Sequence, residues 1–492
     1  MLFYNVLIRA TLLFLFYGTF ISCKKEKEEV VRDNQSAKSL VDSIYLYGQQ
    51  VYYWNNQLPN EITFNNYKNT LKSSDELENI QAGLFYISQF AKNRQTGRKY
   101  ELSNIEGISK YTTIVAPEQK KDNLLNGFGI NITNINNSSL LVKYVIPNSP
   151  AAKNGLKRGD EILAINGLKS QNITDYKNTF AGNKLDISYL TNASEQRFIV
   201  LEKSNYSPNS IINHQIINDS YGYISLLNFP SHFNDLDKIF QTFDSKNIKN
   251  LIIDLRYNMG GFLSGCDEFV NHMITDKLHN KVYRKELYNK TMQKRKATIL
   301  KNKPVLDQEG VPIFFIENRV GTFYDIDYSL ENNIYFFNKL GSFNTLKKVY
   351  FIVSKETASA SELLINSLEP YVDMEIIGVS NNDEQGKVYT YGKPVGSIAI
   401  PIGRYSVYYT MFQNINAKNQ GDYFEGILSD WTTIDDLRKD FGDIADPAIK
   451  HCMRIGTKAD VKPTAVQKIK MQEIYQEITQ RPILIKEFSL AH

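Results

Sequence analysis

Cysteine and histidine are scarce in this chain. Of three cysteines in 492 residues, Cys23 lies near the N-terminus, which leaves Cys266 and Cys452. Two thiols so far apart in sequence form no disulfide framework, and a single pairing or two buried free thiols both stay open. The six histidines (His214, His232, His272, His279, His451 and His492) are isolated from one another. With no Cys/His cluster at metal-ligand spacing, a zinc site is not expected. A dominant charge is missing as well: the net charge is +4, with Lys and Arg scattered rather than striped, which argues against nucleic acid as a partner. The apolar run from Leu12 to Ile21 is too short to cross a bilayer comfortably.

What is present is a folded chain. Hydrophobic residues make up 42 % and charged residues 22 %, which excludes a disordered protein, and the length calls for two or three domains. The first 22 residues, with Arg9 ahead of the apolar run, read as a signal peptide. Phe20-Ile21-Ser22-Cys23 resembles a bacterial lipobox, with Phe where Leu is more usual. That resemblance implies cleavage before Cys23, lipidation of Cys23, and a place in the cell envelope of a Gram-negative bacterium, anchored to a membrane on its periplasmic or surface face. A plain secretory signal or an uncleaved anchor is the alternative; the Lys- and Glu-rich residues 23–36 favour a solvated tether.

Residues 37–118 carry apolar and aromatic positions at helical spacing, as in AKSLVDSIYLYGQQVYYW, and are expected to form a small helical region. Residues 122–204 change character. Short β-branched runs alternate with turn signals, and Gly127-Phe128-Gly129-Ile130, Ser149-Pro150-Ala151-Ala152 and Gly159-Asp160-Glu161-Ile162-Leu163 follow in order. The set resembles a PDZ domain of the permuted bacterial type. Gly127, Phe128, Gly129 and Ile130 would then capture a peptide's terminal carboxylate through backbone N–H groups, beside a strand edge open to the peptide.

From about residue 216 to 445, strands alternate with helices: YGYISLLNF, LDKIFQTF, KNLIIDLR, CDEFVNHMI, KKVYFIVS, SASELLINSL, MEIIGV. This pattern predicts an α/β core with a mainly parallel sheet, whose functional loops lie at the carboxyl ends of strands. Two such ends stand out. One is Asp254-Leu255-Arg256-Tyr257-Asn258-Met259-Gly260-Gly261, whose paired glycines let backbone approach a substrate. The other is Thr357-Ala358-Ser359-Ala360-Ser361-Glu362, where small residues lead into a helix; this is either a well-made helix cap or a nucleophilic serine at a helix N-terminus. A serine needs a base. His232 is the nearest histidine, and a lysine in Thr390-Tyr391-Gly392-Lys393 is the alternative if burial lowers its pKa.

A PDZ unit followed by DLRxNxGG, TASASE and TYGK resembles the tail-specific, or C-terminal processing, serine peptidases, over about Gly127 to Asp430. The resemblance implies a core related to the crotonase-like ββα spiral and a Ser/Lys dyad. Ser359 would be the nucleophile, Lys393 the base, and the N–H groups of Gly261 and Ala360 the oxyanion hole. It implies no metal or organic cofactor, and polypeptides with free or unstructured C-termini as substrates. One departure bears on the lysine: VSNNDEQGKVY is inserted between Ile377-Gly378 and TYGK, so Lys387 keeps the family-like distance from Ser359 while Lys393 keeps the better context. Where many members carry an orienting Gln a turn past the lysine, Ser397 stands here after Lys393 and Tyr391 after Lys387. A binding lipoprotein of the same fold with impaired catalysis is the rival reading. Residues 446–492 are expected to form a helix and a tail.

Overall fold

Three amphipathic helices begin the folded chain: Ala37–Val51, Glu61–Lys68 and Glu76–Ser88. Asn60 and Asp75 cap the second and third by accepting from the N–H groups of Thr63 and Leu77. Their apolar faces, including Ile44, Leu84 and Ile87, are buried in one cluster with Ile400, Val407 and Tyr409 of the α/β core. The strand Thr113–Val115 pairs with Tyr405–Tyr408, and Tyr409 donates its hydroxyl to the Ile44 carbonyl at 2.8 Å. The helical region is therefore welded to the core rather than standing as a separate unit. The structure, a computed structural model, describes residues 37–116, 125–135, 139–169, 176, 179–307, 310–316, 319–381, 386–454, 471–476 and 486. The leader, the lipobox with Cys23, and the tether lie outside the described residues.

The second unit is an antiparallel sheet with a hydrophobic cluster of its own, containing Phe128, Ile130, Val142, Ile162 and Leu185. Its strands follow the order Ile130–Ile135, Ser139–Val145, Glu161–Ile165, Lys184–Leu190, Gln196–Glu202. Beyond Ile130–Ile135 a further strand is seated, Met471–Gln476, so the edge expected to be open is paired with the chain's own C-terminal segment. That segment also differs from the expected helix and tail: the helix is Pro447–Cys452, and a strand follows it.

The largest unit is built on a six-stranded sheet in the order Trp431–Thr433, Asp373–Val379, Lys348–Val353, Asn250–Asp254, Tyr221–Leu226, Ile211–Ile217, parallel except at the last pair. Alternate residues of the run LIID face opposite sides: Leu251 and Ile253 join the large cluster beneath the helices, and Ile252 joins a second cluster with Ile449 and Cys452. Burial on both faces explains why these strands read as continuous apolar runs. A smaller antiparallel sheet, in the order Ile334–Phe336, Val282–Tyr288, Phe412–Ile415, Val395–Gly396, flanks it.

A buried ion network joins the units. Arg256 contacts Asp254, Asp435 and Asp446 at 2.9 to 3.0 Å, and Arg158, from the antiparallel unit, contacts Asp435 at 2.7 Å. Burial opposes the charge of Asp435, yet Arg158 and Arg256 hold its carboxyl below the usual carboxylate range. Lys143, also from that unit, pairs with Glu356 at 2.8 Å, just ahead of the TASASE turn.

Candidate active site

Asn250–Asp254 and Lys348–Val353 are adjacent and parallel, with Asp254 opposite Ile352, so the DLRYNMGG loop and the TASASE turn leave the same sheet edge side by side. The small residues stitch the two together. Thr357 donates its hydroxyl to the Leu255 carbonyl at 2.7 Å, Ser361 donates to the Asn258 carbonyl at 3.2 Å, and the Ala358 N–H reaches the same carbonyl at 3.0 Å.

Ser359 is different. It is fully buried at the start of the helix Ala360–Leu368, with φ 62° and ψ −115°, a conformation that costs a non-glycine residue about 1–3 kcal/mol. Its Oγ has no hydrogen-bond partner among the described residues. Gly260 lies against it: a Cβ at Gly260 would fall 2.5 Å from the Ser359 Cβ and 2.9 Å from the Ala360 nitrogen, and its φ is 101°. Only glycine fits there. Asn258 Oδ1 accepts the Gly260 N–H at 2.8 Å. Ala360, the first residue of its helix, has no intrahelical carbonyl for its N–H.

Lys393 is fully buried and its Nζ, like the serine Oγ, has no partner among the described residues. Burial pushes its pKa down to about 8; Glu101 and Glu362 pull the other way and Lys110 adds to the fall. Its Nζ lies 5.4 Å from the centre of the Tyr111 ring. Lys387, by contrast, is exposed. The TYGK turn packs on the segment Gly421–Asp430, where a Cβ at Gly392 would fall 2.4 Å from the Phe424 carbonyl oxygen, which accounts for its glycine. Ser397 is buried but makes no bond to Lys393. His232 is exposed and paired with Glu268 at 3.0 Å, and makes no hydrogen bond to the Ser359 hydroxyl.

One carboxylate spans the two buried groups. Glu362 accepts the N–H of Ser359 at 2.9 Å, of Lys393 at 2.8 Å and of Gly392 at 2.6 Å, and the Thr390 hydroxyl at 2.5 Å. Burial raises its pKa, and the four donors oppose the rise by favouring the ionised form. The sequence marks Glu362 only as a helix-dipole residue.

Three further residues have no signal in the sequence. Glu101, wholly buried, accepts from the Thr112 and Thr410 hydroxyls at 2.6 and 2.9 Å and from the N–H groups of Tyr111 and Thr112. Lys110 donates to the Phe424 carbonyl at 2.8 Å, and Tyr111 donates to the Gly392 carbonyl at 2.5 Å. The helical N-terminal region thus walls the lysine. Cys266 and Cys452 are two free, buried thiols; the first lies 3.4 Å from the Ala360 carbonyl.

The sequence model of Peptidase family S41 matches residues 220–426, and that of the PDZ domain matches residues 118–186. Residues 220–426 are thus a region of peptidase family S41. Relatives include the carboxy-terminal processing protease CtpB of Bacillus subtilis, 28 % identical over 171 residues, which span 31 % of this chain and 34 % of that protein. The carboxy-terminal-processing protease of Bartonella bacilliformis is 23 % identical over 369 residues, 70 % of each. Among solved structures, an S41-type protein of Bacteroides fragilis superposes with a TM-score of 0.56 at 17 % identity, over 84 % of this chain and 96 % of that one, a likeness of fold. The S41 core, of the serine-type peptidases, is thus the α/β unit, and the antiparallel unit before it is the PDZ domain.

Proposed function

We propose that this S41 protein is a secreted endopeptidase, lipid-anchored at Cys23 in a Gram-negative cell envelope, that binds polypeptide C-termini through the Gly127–Ile130 loop and cuts peptide bonds through an acyl-enzyme. The observation that carries the reading is the pair of buried, unpartnered groups, Ser359 Oγ and Lys393 Nζ, whose backbones share the Glu362 carboxylate.

The chemistry follows from their surroundings. With a pKa of about 8, roughly a tenth of Lys393 is neutral at pH 7, enough to act as a base. Ser359 Oγ attacks the scissile carbonyl while its proton passes to Nζ. The oxygen that becomes negative is held by the N–H groups of Gly261 and Ala360. The amine leaves with the proton returned by Nζ, and water, deprotonated by the same lysine, releases the acyl group.

The test is labelling of the purified protein with a fluorophosphonate, mapping of the adduct by mass spectrometry, and casein digestion by wild type, Lys393→Ala and Lys387→Ala. An adduct on Ser359 with activity lost only in Lys393→Ala is expected; full activity in Lys393→Ala overturns the lysine. The absence of a hydrogen bond between the two groups favours a second reading, a peptide-binding lipoprotein without turnover. That reading predicts no adduct and no digestion, with a terminal-carboxylate peptide still bound.

A further inference from the structure

The strand Met471–Gln476 lies antiparallel on the PDZ strand Ile130–Ile135, with Met471 opposite Ile135 and Gln476 opposite Asn131. Its direction runs toward the Gly127–Ile130 turn, as an extended peptide docked by strand addition would run. Ten residues on from Gln476, Lys486 is seated on the S41 core. Its N–H donates to the carbonyl of Ser397 at 3.2 Å, four residues past Lys393. Its ammonium donates to Glu286 at 2.6 Å, the Tyr335 hydroxyl at 2.7 Å, the Tyr288 hydroxyl at 3.3 Å and Asn333 Oδ1 at 3.4 Å. The Tyr288 and Tyr335 rings lie 5.7 and 5.4 Å from it.

Charge accounting shows what this pocket needs. Arg284 is paired with Asp267 at 3.2 Å and Glu286 at 2.5 Å, so one guanidinium faces two carboxylates. Glu286 is wholly buried. Asp267 is about a third exposed, so Glu286 is the buried carboxylate of the pair, and Lys486 gives it a second cationic partner beside Arg284. Oxygen ligands and two aromatic faces suit a basic side chain.

We infer that the strand Met471–Gln476 and Lys486 are resident ligands of the chain's own PDZ edge and Glu286 pocket, and that a substrate polypeptide carrying a Lys or Arg displaces them. This rests on the peptidase reading for the word substrate, but not for the binding. A tethered ligand competes at an effective concentration in the millimolar range, so its release should tighten binding of an added peptide by about tenfold or more.

The experiment uses the full chain as wild type, as Lys486→Glu, and as Gln472→Pro/Glu473→Pro. Adjacent prolines remove a ladder hydrogen bond whichever of the two residues donates it. The probe is a fluorescein-labelled synthetic peptide of residues 469–488, read by anisotropy, beside the same peptide with Glu in place of Lys486. Both variants should bind the Lys peptide about tenfold tighter than wild type, the Glu peptide should lose that gain, and KM for casein should fall in parallel. Equal affinity of wild type and variants, or of the two peptides, overturns the inference. Tighter binding with no casein cleavage in any protein overturns the peptidase reading and leaves the inference standing; cleavage at one KM with unchanged binding does the reverse.

Discussion

Tyr111, from the helical N-terminal region, donates its hydroxyl to the carbonyl of Gly392, the residue before Lys393, at 2.5 Å, and its ring lies 5.4 Å from the lysine Nζ. A side chain 281 positions away in sequence therefore holds the turn that carries Lys393.

Tyr111→Phe keeps the ring and removes the hydroxyl, leaving a buried carbonyl short of a donor at a cost of about 1–3 kcal/mol. The expected result is a folded protein with kcat reduced about tenfold and KM little changed, measured on a peptide substrate. An unchanged kcat would show that the turn holds its place without Tyr111.

Lys393 carries a stability penalty as well as a proposed role. Its pKa in the folded state, about 8, lies below the value of about 10.4 in an unfolded chain, so the unfolded state binds more protons between these limits. The penalty is full below pH 8, on the order of 3 kcal/mol, and disappears as pH rises to about 10.4. Lys393→Met should therefore abolish turnover and yet resist urea better than wild type at pH 7, with the gap closing by pH 10.5. Wild-type activity should rise with pH and level off above about 8. A variant less stable than wild type at pH 7 would show that burial does not burden this lysine.

Gly260→Ala places a methyl group 2.5 Å from the Ser359 Cβ at a φ of 101°. Loss of fluorophosphonate labelling and a lower melting temperature are expected; normal labelling would mean that the turn relaxes without moving the serine.

Glu362→Gln presents an amide donor to a site that supplies four donors already. At least two hydrogen bonds to charge are lost, at about 1.5–3 kcal/mol each. Chemical denaturation should show a loss above about 2 kcal/mol, whereas a near-neutral change would mean that the carboxyl is protonated in the native state.

The fold and the two strand-end loops that meet at one sheet edge were legible because their signals are local. Continuous apolar strands, strand-end loops and the Gly260-Gly261 pair each sit within a few residues of the element that positions them. The wall around Lys393 was not legible. Glu101 and Tyr111 meet Thr410 and Gly392 across some three hundred positions, and nothing in residues 101–112 distinguishes them from an ordinary loop. The strand Met471–Gln476 was hidden for another reason: its pairing shifts register between Glu473 and Tyr475, which breaks the alternation by which strands are recognised. Spacing from Ser359 pointed to Lys387 and the TYGK context to Lys393; in the structure Lys393 is enclosed and Lys387 exposed.

Arg158 belongs to the PDZ domain by sequence and to the S41 core by charge, since it shares Asp435 with Arg256 and bonds the Tyr257 hydroxyl at 2.7 Å. A PDZ domain transplanted without an arginine at that position would leave the core's carboxylates under-neutralised. The two modules are interchangeable in topology but not in electrostatics, so exchange between relatives succeeds only where donor and recipient agree on this arginine.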